Sequence, residues 1–140
     1  MSNNIIYTGI FLDKAQQALL LNTFPPVHEK KFAHHMTTWF KGETDPDWEL
    51  LPWGETITLS VVGYAEDEKA QAVKVDPPVL LMPGNGRIPH ITISTDLGTK
   101  PVYSGVLIRR SKPTRPFILR GKFGWSGGGN SLHFNNPNAV

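Results

Sequence analysis

Short apolar runs alternate with turn-forming clusters along the chain, and helical periodicity is clear only once. Residues 5–12 form a β-rich apolar run, and Asp13 stands where a side chain caps the amphipathic helix that follows, DKAQQALLLN. A βα unit therefore opens the chain. Phe24-Pro25-Pro26 ends it, because proline fixes φ and removes a backbone donor, and residues 32–40 then have the β-branched and aromatic content of a second strand. The acidic, proline-bearing stretch 42–54 reads as a loop. Residues 56–65 and 69–75 read as strands joined by the charged turn EDEK, a hairpin. Two proline-rich breaks, Pro77-Pro78 and PGNGR at 83–87, precede another strand over 88–95, and 117–125 is the last. The segment KPVYSGVLI, 100–108, fits helix or strand: Pro101 suits a first helical position, whereas Val, Tyr and Ile favour extension. Mostly strands with one or two helices indicates an α+β fold with an antiparallel or mixed sheet.

Composition narrows the class. Apolar residues make up 39% and aromatic residues 10% of the 140, enough for one core, while 13 Gly and 12 Pro imply many turns. One domain over 1–125 is expected. Residues 126–140, SGGGNSLHFNNPNAV, are poor in core-forming side chains and are expected to be a flexible tail. No run approaches the roughly 18 apolar residues of a membrane span. The opening MSNNIIYTGIF lacks a basic segment and a small-residue cleavage site, so a soluble, cytoplasmic protein is expected. With no cysteine, disulfides and thiolate zinc sites are excluded.

Charge is placed unevenly. The net value is only +2, yet all twelve acids lie at or before Asp96, and Lys100, Arg109, Arg110, Lys112, Arg115, Arg120 and Lys122 follow without a counter-charge. That third of the chain is expected to favour phosphates.

Two strands carry the candidate chemistry. AHHMTTWF (33–40) and PHITIST (89–95) each hold a histidine, one apolar residue, then a threonine. Since side chains alternate across a strand, His35 and Thr37 share one face, opposite Met36 and His34, and His90 and Thr92 share another, opposite Ile91 and Ile93. If the two faces meet, two imidazoles divide acid and base duties and two hydroxyls hold charge on non-bridging oxygens, which is what phosphodiester hydrolysis requires. An imidazole pKa of about 6.5 allows one neutral and one cationic ring near neutrality, with no metal or cofactor. A lone histidine and threonine on a strand would ordinarily be structural; the pair, one in each half with apolar centres, favours catalysis. His34, expected to point away, His28 in a loop and His133 in the tail are assigned no role.

His35-Met36-Thr37 and His90-Ile91-Thr92 resemble the paired His-x-Thr/Ser motifs of the 2H phosphoesterases. The resemblance runs from IYTGIFLD to KPVYSGVLI, and within the superfamily it is most like the cyclic phosphodiesterase domain of plant- and fungal-type tRNA ligases, followed by the phage anti-CBASS nucleases. It implies a two-lobed, pseudo-symmetric α+β fold around a central groove, with His35, Thr37, His90 and Thr92 catalytic. The substrate it implies is RNA ending in a 2′,3′-cyclic phosphate, opened to a 2′-phosphate, or a cyclic oligonucleotide. A non-catalytic RNA- or nucleotide-binding module is the alternative. A nucleobase would want an aromatic platform, for which Tyr7, Trp39 (on the His35 face by alternation) and Tyr103 are candidates. Lys41, Lys100 and Arg109 are candidates to meet phosphates, Lys100 foremost.

Overall fold

The computed structural model describes residues 5–129 and 131–138. Residues 1–4 of the opening segment and 130, 139 and 140 of the tail lie outside the described residues. Seven strands, β1 (Tyr7–Phe11), β2 (Lys30–Lys31), β3 (His35–Phe40), β4 (Thr56–Glu66), β5 (Ala70–Asp76), β6 (His90–Thr95) and β7 (Lys112–Ser126), are joined by two α-helices, α1 (Lys14–Thr23) and α2 (Ser104–Leu107). The strand order is β2-β6-β3-β1-β7-β4-β5, and β5 also pairs with β6. Six strands thus close into an antiparallel barrel. Closure leaves the long strands without a free edge, and β2 merely continues the β3 side of β6, at Lys30↔Thr95 and Lys31↔Ser94.

Alternation fills the interior. Ile10, Met36, Leu59, Val73, Ile91 and Phe123 are completely buried there, one or more from each barrel strand. Leu20 of α1 joins this core, and Asp13 caps the helix as expected, its carboxylate accepting from Gln16 N at 2.9 Å. A second, smaller cluster lies on the outside, where Leu107 and Ile108 bury themselves against Ala70 and Ala72 of β5. That burial settles the ambiguous segment: Pro101–Tyr103 is a 3-10 turn, α2 follows, and Ile108–Arg110 is a second 3-10 turn. The segment turns helical because its apolar residues cover small side chains instead of extending a sheet that is already closed.

The α+β class and the antiparallel pairing match expectation. The strands make one continuous closed sheet, and no division into two pseudo-symmetric lobes is seen among the described residues. The strand expected over 32–40 begins only at His35, because Ala33 has φ of 61°, a left-handed backbone that interrupts the ladder. At the tail, Ser126 still belongs to β7, and His133 pairs through both backbone groups with Trp125, at 2.8 and 2.9 Å, beyond the Thr56↔Lys122 pair where β4 begins.

One irregularity shapes the outer face. Between β1 and β3 the register passes from Thr8↔Trp39 to Gly9↔Thr37, so Thr38 is the extra residue of a β-bulge. Its hydroxyl turns inward and bonds the Thr8 hydroxyl at 2.7 Å. Close approach makes glycine necessary at position 9, where a Cβ would lie 2.6 Å from the Met36 carbonyl oxygen. Gly9→Ala is therefore expected to destabilise the fold by about 1–3 kcal/mol, and a denaturant midpoint equal to wild type would show that the bulge yields freely.

Candidate active site

The candidate site is built by β3 and β6, which lie side by side with Met36 opposite Ile91. Both of these are fully buried in the barrel. In an antiparallel ladder, paired side chains lie on the same face and the next pair lies on the other. One step to either side, His35 therefore stands across from Thr92 and Thr37 across from His90, all four on the outer face. All four are half-buried. The two histidines are diagonal neighbours, set roughly 7–8 Å apart by ladder geometry, a spacing at which two rings can reach one phosphorus from opposite sides. Walls flank this floor. The α2 backbone passes beside His90, where a Cβ on Gly105 would lie 3.9 Å from the ring Cε1. On the other side a cavity of about 200 Å³ opens beside His34, lined by Tyr7, Phe11, Gln17, Ser126 and Leu132.

The two imidazoles are held differently. His90 Nδ1 lies 2.8 Å from the Ile88 carbonyl oxygen, which accepts a proton only, so Nδ1 carries hydrogen and the neutral ring keeps its lone pair on Nε2. His35 Nδ1 meets no carbonyl among the described residues; it lies 2.7 Å from His34 Nδ1, with the ring centroids 4.8 Å apart. The expectation that His34 points away fails, because the left-handed turn at Ala33 takes His34 out of the strand alternation. Sequence reasoning missed this neighbour. Burial drives the His35 pKa down to about 3, helped by the His34 and His90 charges. His90 is lowered too, by burial first and by Arg87, but the bond to the Ile88 carbonyl opposes the fall. Both rings are consequently neutral at pH 7 in the free protein, where a neutral and a cationic ring had been expected. An anionic phosphate between them would raise both.

The aromatic and basic candidates divide. Tyr7 is where expected, stacked on His35 at 5.0 Å and beside Phe11 at 5.9 Å. Trp39 is not. The bulge at Thr38 reverses the alternation, so Trp39 pairs with inward-facing Thr8, lines a separate hollow with Leu51 and Leu81, and donates its indole N–H to the Thr44 carbonyl at 3.1 Å. Phe40 takes its place on the motif face, 48% exposed and stacked on Tyr7 at 6.0 Å. A bulge is hard to see in a sequence; Gly9 opposite the motif was the available signal. Tyr103 also lies apart: its hydroxyl donates to Asp67 in the β4–β5 turn and Lys69 sits over its ring. Lys100 is exposed, at the entry to the Pro101–Tyr103 turn. Nor is the late positive charge wholly unopposed, since Arg110 pairs with Asp67 at 3.2 Å.

A histidine whose native pKa lies below its unfolded value leaves the unfolded chain holding the extra proton at intermediate pH, so stability rises with pH there. For His35 that window runs from about 3 to about 6.5. Acidification below pH 6.5 should steepen the loss of stability by as much as about 1.4 kcal/mol per pH unit for each such proton. His35→Asn should flatten that slope in urea titrations across the window, and an unchanged slope would count against a buried neutral ring.

No protein-family model matches the sequence, and no curated protein matches it. Among solved structures the fold is similar to the crystal structure of a fungal RNA kinase, with a TM-score of 0.54 at 13% sequence identity. The alignment covers 90% of this chain and 45% of that one, so this chain spans less than half the length of its neighbour. At that identity the likeness is one of fold.

Proposed function

We propose that this chain is a metal-independent phosphodiesterase of the 2H type that opens the 2′,3′-cyclic phosphate ends of RNA. The Met36↔Ile91 register carries the reading, because it sets two imidazoles and two hydroxyls from distant parts of the chain on one outer patch. The fold shared with a fungal RNA kinase favours RNA over other phosphodiesters. Phe40, exposed and set against the half-buried Tyr7, offers an aromatic surface that a terminal base would stack on.

Roles follow from the two ring environments. His35, the ring held most firmly neutral, is the base: its Nε2 takes a proton from water as the water oxygen bonds to phosphorus. His90 is the acid, since the Ile88 carbonyl stabilises its imidazolium; as the bond from phosphorus to the ribose O3′ breaks, His90 Nε2–H protonates that oxygen. A 2′-phosphate remains. Thr37 and Thr92 donate to the non-bridging oxygens as charge develops there.

RNA ending in a 2′,3′-cyclic phosphate, incubated with the protein in EDTA beside a panel of cyclic oligonucleotides, should be converted to the 2′-phosphate. His35→Ala and His90→Ala should each lower kcat by about 10²–10⁴-fold, and Thr37→Ala or Thr92→Ala by about 10²-fold. Binding with no turnover would identify a non-catalytic module, and hydrolysis of the cyclic oligonucleotides alone would move the substrate to that class.

The pH dependence has a stated direction. A base with its pKa at about 3 and an acid whose pKa lies below 6.5 place the kcat/KM maximum on the acidic side of 6.5. Activity falls at higher pH as His90 loses its proton. A kcat/KM plateau still level at about pH 8 would exclude His90 as the acid.

A further inference from the structure

We propose that His34 is a positioning residue for this chemistry: its Nδ1 accepts the proton of His35 Nδ1, holding His35 with a bare Nε2 towards the site. Protonation of the pair cancels that state. The inference rests on the reading of His35 as the base.

Two imidazole Nδ1 atoms 2.7 Å apart cannot both present lone pairs, so one proton lies between them. Which ring owns it decides what His35 can do. If it belongs to His35, then Nε2 of His35 is free to accept from water; if it belongs to His34, the hydrogen of His35 sits on Nε2 and blocks it. His90 shows the first arrangement with a carbonyl acceptor, Ile88. His34 fills the same place for His35, with the difference that a ring nitrogen titrates and a carbonyl does not.

Geometry fixes the contact. The φ of 61° at Ala33 swings His34 alongside His35, where the rings lie edge to edge within 17° of parallel, and Phe32 meets the His34 ring edge-on at 6.0 Å. His34 is exposed, so it exchanges protons with solvent. The titratable groups that face the pair are Tyr7 from β1, stacked on His35, and His90 from β6. Gln17 of α1 and Ser126 of β7 line the cavity without charge, and Lys122 of β7, opposite Phe11, directs its ammonium over the Phe134 ring at 5.1 Å. Among the described residues that line the cavity there is no carboxylate, so within that set a proton taken up by the pair is shared by the rings alone. The neutral pair holds hydrogen on His34 Nε2 and between the Nδ1 atoms; one added proton leaves the middle one shared and occupies His35 Nε2. The acid limb of the rate profile is then a property of the pair.

His34→Asn and His34→Ala separate these roles. Asn keeps an acceptor oxygen near the Nδ1 position and does not titrate; Ala keeps neither. In ¹⁵N spectra of the full chain at about pH 7.5, His35 should be the Nδ1–H tautomer in wild type and His34→Asn and shift towards Nε2–H in His34→Ala. On the cyclic phosphate substrate His34→Asn should hold kcat within about threefold and move the acid limb to lower pH. His34→Ala should lower kcat by about 10-fold or more with KM little changed, and thermal unfolding of both should match wild type. An Nε2–H tautomer of His35 in wild type, or Ala and Asn variants that match wild type in both tautomer and acid limb, would overturn the assignment. Absence of turnover in wild type would instead remove the phosphodiesterase reading and leave the tautomer measurement to decide His34.

Discussion

The structure turns on one pairing, Met36 against Ile91, made inside the barrel by two fully buried apolar side chains. Because the side-chain period of a strand is two, fixing which residues go inward also fixes which go outward. A slip of one residue would bury His35 and His90 and expose the core, and the cost of burying unpaired polar rings while uncovering Met36 and Ile91 rules that register out. The outer quartet is thus held by hydrophobic burial on the opposite face. Stability and the candidate chemistry share one constraint.

Local departures from regular backbone then set what surrounds the quartet. The bulge at Thr38 sends Trp39 to the hollow it lines with Leu51 and Leu81 and Phe40 to the motif face, and it works only because Gly9 lets the two strands close up. The left-handed residue Ala33 brings His34 against His35. A regular strand over 32–40 would have given the site a tryptophan and no third imidazole. Two breaks in periodicity therefore decide its aromatic surface and its proton inventory.

The two motif histidines are alike in sequence and unlike in surroundings. One donates Nδ1–H to a carbonyl, the other meets a second imidazole. Burial lowers both, and for His90 the bond to the Ile88 carbonyl opposes the fall. The proposed division into acid and base rests on that difference. The likeness of the two motifs in sequence does not extend to their protons.

Much of the fold was legible in the chain. The βα opening with its Asp13 cap, the hairpin of 56–65 and 69–75 and the 117–125 part of the final strand, which itself starts at Lys112, follow from apolar periodicity and turn residues, which are local properties. So does the sharing of a face by His35 with Thr37 and by His90 with Thr92, since alternation needs only a strand. The meeting of those two faces was a non-local matter, fixed by packing among residues far apart in sequence. Barrel closure, the inward turn of Trp39, the approach of His34 and the commitment of Tyr103 to Asp67 were likewise decided only in three dimensions. A sequence dictates which residues want burial and how they alternate; which partner each strand finds, and where a bulge breaks the alternation, depends on the summed fit of the closed sheet.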